Sequence, residues 1–242
     1  MKEIIKQLQT VTSFGYSTYK VFDDWLDLML YALTRNEECY MEVVNRYNNE
    51  YEKGTRPIDY FANAFGLLLK VSSETNKEML GDIYMELNVG NKHTGQFFTP
   101  GHISDLMALI TEPAEGNICD PASGAGGMFI SCAKRMTNRQ LDCSRFYGTD
   151  IDLTCVKMTA LNMCFFNLNG YAIWGDSLTT EVWKVWETKR SYLGGDIREL
   201  DEVGVDVIRK MMEVNKDVVK ESFGKGFGDF KGSDLSEQLS IF

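Results

Sequence analysis

No apolar run in the 242 residues approaches the roughly 18 needed to cross a bilayer, and the opening residues Met1 to Lys6 lack the apolar stretch of a secretory signal. A cytoplasmic protein without membrane association is therefore expected. Paired cysteines are missing too: Cys39, Cys119, Cys132, Cys143, Cys155 and Cys164 form no CxxC, and most sit in apolar segments where a thiol behaves as a small hydrophobe, which argues against a zinc or disulfide framework. Net positive charge is absent as well. The formal charge is -10, and residues 1–90, 91–180 and 181–242 are each net negative. A protein that grips DNA unaided usually carries a cationic stripe, because neutralising phosphates and releasing counterions dominates affinity. Proline is scarce and never consecutive, at Pro57, Pro100, Pro113 and Pro121. The two histidines, His93 and His102, receive no role, and no metal site is expected.

What is present divides in two. Val21, Phe22, Trp25, Leu26, Met29, Leu30 and Leu33 recur at helical spacing, followed by Tyr40, Val43, Val44, Tyr47 and Tyr51. Pro57 suits the first turn of a third helix carrying Ile58, Phe61, Phe65, Leu68 and Leu69, and Met79, Leu80, Ile83, Tyr84 and Leu87 mark a fourth. Residues 1–90 thus read as a helical region. After Gly90, short apolar strands at 117–119, 146–149 and 171–174 alternate with helices near 126–136 and 152–168, which implies an α/β fold with a parallel sheet and right-handed crossovers. This second unit is expected to cover 91–222. Val203, Val207, Met211, Val214 and Val218 fit a helix, though 205–208 could be a strand, and 223–242 reads as a flexible tail rich in Gly, Lys and Asp.

The chemistry centres on Asp120-Pro121-Ala122-Ser123-Gly124-Ala125-Gly126-Gly127, a small-residue turn between a strand and a helix. Such a turn lets a ligand approach the backbone at the carboxyl end of the strand, where open α/β sheets bind nucleotides. The next strand ends in Gly148-Thr149-Asp150-Ile151-Asp152, which puts a carboxylate within reach of ribose hydroxyls, and the third ends in Gly175-Asp176-Ser177-Leu178. Either aspartate could instead cap the helix that follows.

In order and spacing, Gly95-Gln96-Phe97-Phe98-Thr99-Pro100, the Asp120–Gly127 loop, GTDID and GDSL resemble the cofactor-binding half of adenine-N6 DNA methyltransferases, especially the modification subunits of type I restriction systems. The likeness covers roughly Leu80 to Leu178. It implies a Rossmann-like fold that binds S-adenosyl-L-methionine (SAM), preceded by a helical domain, in a protein of bacterial or phage origin. It further implies that Thr99 and Pro100 lie by the methionine moiety, with Phe98 also among the cofactor-binding residues, and with Asp120, Ser123, Gly124 and Gly126 around the amino acid and ribose. Asp150 would take the ribose hydroxyls, Ile151 would pack on the adenine, and Asp176 with Leu178 would complete that pocket. Phe97 and Phe98 could equally serve to pack the loop onto the sheet.

The chain departs from this pattern at one point. In that family a fourth strand ends in Asn/Asp/Ser-Pro-Pro-Tyr/Phe, which holds and stacks the flipped target base. Here Val205-Asp206-Val207-Ile208 is followed by Arg209-Lys210-Met211-Met212, and no Pro-Pro occurs. The sheet therefore reads as truncated, no catalytic residue is assigned, and the C-terminal helix, a second copy of the chain or a partner protein is expected to cover an otherwise exposed central strand. Three expectations follow: a SAM-binding module without catalysis of its own, a methyltransferase completed by a partner subunit and reaching DNA through that complex, or an interaction module. For the last, Gln238, Leu239, Ile241 and Phe242 resemble the short peptide with which bacterial proteins dock on the DNA polymerase sliding clamp.

Overall fold

A computed structural model describes residues 1–48, 50–87, 89 and 97–212. Helix α1 (Lys2–Thr12) buries Ile4, Ile5, Leu8 and Val11 along one stripe and packs on α4 (Pro57–Thr75). Helix α2 (Thr18–Thr34) starts where the Ser17 hydroxyl accepts the Lys20 N–H, and it ends at Arg35, whose φ of 59° stops the helix. Asn36 caps α3 (Glu37–Asn45) in the same way. Pro57 opens α4, with the Asp59 carboxylate accepting the Gly54 and Arg56 N–H groups, and α5 (Leu80–Glu86) follows. Trp25, fully buried, donates its indole N–H to the Phe61 carbonyl at 3.2 Å and so ties α2 to α4.

The second unit opens with α6 (Gly101–Thr111) and a five-stranded sheet in the order β1-β2-β3-β4-β5. Strands β1 (Asn117–Asp120), β2 (Arg145–Asp150) and β3 (Gly170–Asp176) are parallel. Between them run α7 (Gly127–Ala133) with α8 (Asn138–Cys143), and then α9 (Leu153–Phe165). The expected parallel strands are all present, but the sheet is mixed. β4 (Glu181–Lys189) and β5 (Asp196–Glu199) form an antiparallel ladder on β3. The edge of β3 is thus covered by the chain's own hairpin, whose Val182, Val185 and Trp186 are buried, rather than by a second copy or a partner protein. Residues 202–212 are helical, not extended, and Val205 and Ile208 pack on Ile173, Val182 and Val185.

Helix α9 is buried nearly all round, because it lies between the sheet and the N-terminal helices. One apolar cluster runs from Ile4 through Trp25 and Leu80 to Phe146, Leu161 and Ile197, so helical region and sheet share a core. Within it sits an ion triad: Lys157 of α9, 5% exposed, meets Asp23 at 2.8 Å and Asp27 at 2.7 Å, both on α2. Among the described residues no helix is long and apolar enough to cross a membrane.

Candidate functional site

The turn after β1 depends on two glycines in the left-handed region, Gly124 at φ 55° and Gly126 at φ 76°. A side chain at Gly124 would place its Cβ 2.9 Å from the Phe98 ring, and one at Gly126 would sit 3.3 Å from the Thr159 hydroxyl. The Asp120 carboxylate accepts the Ala122 N–H at 3.1 Å, the Ser123 N–H donates to the Thr149 carbonyl at 3.0 Å, and the Gly126 N–H donates to the Ser123 carbonyl at 2.7 Å. These bonds close the loop over the ends of β1 and β2.

Asp150 then fixes the loop to the second strand. One carboxylate oxygen accepts the Gly124 N–H at 2.9 Å and the other accepts the Asp152 N–H at 2.9 Å. At the end of β3 the Asp176 carboxylate accepts the N–H groups of Leu178 at 2.8 Å and Thr179 at 3.4 Å. Three successive parallel strands therefore end in aspartates, and since an ionised carboxylate offers about four lone-pair sites, each retains capacity for a ligand donor. Burial raises the pKa of Asp120 and of Asp150, the latter opposed by its backbone donors. The N–H of Leu178 lowers that of Asp176.

Around these carboxylates Ile151 and Leu178 are 65% and 88% exposed, apolar side chains turned to solvent beside polar groups. Phe97 is exposed, but Phe98 is half-buried between Gly124 and Tyr84, 5.1 Å from the latter's ring, which is the packing alternative for that residue. Thr99 and Pro100 are exposed ahead of α6. The Ser123 hydroxyl faces inward, 3.2 Å from that of Thr159, and the residue is buried. The structure thus brings Asp120, Ser123, Gly124, Gly126 and Asp150 into one bonded unit, with Ile151, Asp176 and Leu178 at the adjoining strand ends. Gln96 and His93 lie outside the described residues, as do Gln238, Leu239, Ile241 and Phe242.

Four supporting residues escaped the sequence reading. Thr159 donates to the Gly124 carbonyl at 3.0 Å, and the Asn162 amide donates to the Ala125 carbonyl at 2.7 Å and to Glu78 at 2.9 Å. Glu78 also accepts the Gly81 N–H at 2.7 Å. Burial pushes its pKa up to about 7. Trp174 donates its indole N–H to the Ile151 carbonyl at 3.1 Å and so braces the turn that presents Ile151. Thr159 and Asn162, three residues apart in a helix buried nearly all round, were the available signal, since buried polar side chains need partners.

The profile of the family described as N-6 DNA Methylase matches residues 75–203, more than half of the chain and all of the strands. The chain belongs to the N-6 DNA methylase family. Among curated proteins it is 33% identical over 94 residues to the type I restriction enzyme HindI methylase subunit of Haemophilus influenzae, covering 36% of this chain and 21% of that protein. It is 28% identical over 142 residues to the MpnII methylase subunit of Mycoplasma pneumoniae, covering 56% and 23%, and 27% identical over 118 residues to the MjaIX methylase subunit of Methanocaldococcus jannaschii, covering 46% and 21%. This N-6 DNA methylase family chain therefore spans about a fifth of the length of the relatives it matches. A crystal structure of a type I restriction-modification methyltransferase subunit from Streptococcus thermophilus aligns at TM-score 0.35 and 15% identity, over 68% of this chain and 36% of that one.

Proposed function

We propose that this chain binds SAM over the Asp120–Gly127 loop and acts as the cofactor-holding part of an adenine-N6 DNA methyltransferase, without transferring the methyl group alone. The observation that carries the reading is the row of aspartates at three adjacent strand ends, joined to a glycine turn and flanked by exposed Ile151 and Leu178. The donor set suits the ligand: lone pairs on Asp150 for two ribose hydroxyls, apolar surface for an adenine, a turn without side chains, and negative charge for a sulfonium and an ammonium. When bound, SAM supplies an electrophilic methyl group.

The chain's own residues orient rather than react. Asp150 holds the turn and a diol together, Thr159 and Asn162 fix the loop carbonyls from behind, and Trp174 sets the height of Ile151. No described side chain is placed to clamp a target base, and the sequence contains no Pro-Pro pair. DNA and a further protein enter through a complex, and the helical residues 1–90 act as a buttress to the cofactor unit at 91–222. Calorimetric titration with SAM and S-adenosylhomocysteine tests this, with Asp150→Ala weakening binding at least tenfold and Asp176→Ala weakening it less. Absence of heat with the wild type would refute the cofactor reading, and N6-methyladenine formed by the purified chain alone would refute the lack of autonomous catalysis.

A further inference from the structure

The loop between β4 and β5 presents two apolar side chains to open solvent. Tyr192 and Leu193 are 103% and 95% exposed, the highest values among the described large apolar residues. The backbone that carries them is nevertheless fixed. The Ser191 hydroxyl donates to the Gly194 carbonyl at 2.6 Å and accepts the Leu193 N–H at 3.2 Å. The side-chain amide of Asn167 grips Ser191 twice, its oxygen accepting the Ser191 N–H and its nitrogen donating to the Ser191 carbonyl, both at 3.0 Å. One residue earlier, the Arg190 guanidinium donates to Asp142 and to Asn138, each at 2.8 Å. Holding a turn still while its two apolar side chains stay in water brings the monomer no burial, but it lowers the entropy lost when those side chains meet a partner.

Beside this projection lies a hollow. The C-terminal ends of α4 and α9 border a cavity of about 630 Å³, lined by the apolar Leu69, Phe165 and Phe166 and by the polar Lys70, Ser72 and Asn76. Asn167 lines it too, so the residue that grips the projecting turn is also part of the cavity wall. Aromatic and aliphatic surface next to an ammonium and a hydroxyl suits a tyrosine, whose ring packs while its phenol oxygen finds a polar partner. We infer that the two features are halves of one contact. Tyr192 and Leu193 of one copy of this chain enter the Leu69–Phe165–Phe166 cavity of a second copy, and the second copy returns the same contact, which makes an isologous two-fold dimer.

A second copy is selected as the occupant because this chain carries both halves side by side. A different partner would have to meet only the projection or only the cavity, whereas a two-fold axis passing near Asn167 engages both at once. Tyrosine is among the residues that most often dominate an interface by filling a pocket. One aromatic side chain buries about 150–250 Å². Each copy supplies a projection and a cavity, so with Leu193 the contact approaches the about 800 Å² per partner of a specific interface. The placement also keeps the cofactor loop clear. Gly170, at the start of β3, pairs with Thr188 near the β4–β5 loop, while Asp176 pairs with Glu181 at the opposite end of the sheet. Both copies therefore keep that end open, and the dimer does not depend on what binds there.

Sedimentation velocity of the 242-residue protein, from micromolar to hundreds of micromolar, should show a monomer–dimer equilibrium. In the dimer, hydrogen exchange should slow at residues 190–195 and in the last turns of α4 and α9. The variant Tyr192→Ser with Leu193→Ser removes the projection, and Leu69→Arg fills the cavity. All three positions are exposed, so both proteins should keep the wild-type melting temperature. Each should weaken self-association at least tenfold. Mixed together, the two should pair more tightly than either does with itself, because the projection left on one fits the cavity left on the other. A wild-type chain that stays monomeric throughout, a dimer that both variants leave intact, variants that fail to pair with each other, or protection confined to another surface would overturn the inference.

Discussion

Buried polar side chains set the stiffness of the glycine loop, and two of them give direct tests. Replacing Asn162 by Leu keeps the volume but strands the Ala125 carbonyl and removes a donor from Glu78, so it should cost about 1–3 kcal/mol of stability in urea denaturation. Cofactor affinity should fall with it, because the loop loses its rear anchor; unchanged affinity would show that the turn holds itself. Glu78 adds a pH signature. Its folded pKa of about 7 exceeds the ordinary 4.5, so the folded form keeps a proton that the unfolded form releases in that window. Stability therefore falls as pH rises from the lower value through the upper, by about 2 kcal/mol after allowing for the residue's partial exposure. Glu78→Gln can still accept the Gly81 and Asn162 donors, so it should flatten this dependence and exceed wild type at pH 8 in thermal melts.

Elements meet at the Lys157 triad, where α9, packed on the sheet, is locked to α2 of the helical region. Burial opposes the charge on Lys157, but Asp27 and Asp23 outweigh it and raise its pKa, while burial raises that of Asp27. Lys157→Met would leave two carboxylates facing each other and should cost about 3 kcal/mol near neutral pH. The loss should shrink in acid, where Asp27 with its raised pKa protonates, and Asp27→Asn should recover part of it; a penalty equal at pH 5 and pH 8 would point to packing instead. The elements also differ in how plainly they could be read. β1 to β3 were legible because each apolar run stops at an aspartate or a small-residue turn, and α4 because Pro57 marks its start. Helix α6 went unread although Ile103, Leu106, Met107 and Ile110 recur at helical spacing, and its buried side carries the small Ser104 and Ala108 instead of that stripe. β4 was missed because the register shifts at Trp174 and Gly175, which breaks its alternation and sets Trp183 edge-on to Trp174 at 5.2 Å. The loop and its aspartates were visible as a motif, whereas Thr159, Asn162 and Glu78 act from segments 35 or more residues away.

For the molecule as a whole, the shared core decides how ligand binding spreads. The site lies on the sheet, but its loop is anchored on α9, α9 is clamped to α2, and one apolar cluster joins α1 to β5. Helical region and sheet should therefore unfold in a single transition. A ligand bound only by the folded state at a hundred times its Kd adds about 2.7 kcal/mol. For a protein of this size that is a rise in Tm of about 5–10 °C. Scanning calorimetry with S-adenosylhomocysteine should accordingly move the whole endotherm without splitting it, and the shift should be lost in Asp150→Ala. The effect should also grow as pH rises through the raised titration ranges of Asp120 and Asp150, because protonation removes acceptor capacity and the negative charge that suits a cationic ligand. Two endotherms, of which only one responds to the ligand, would mean that the N-terminal helices stand apart from the site and do not buttress it.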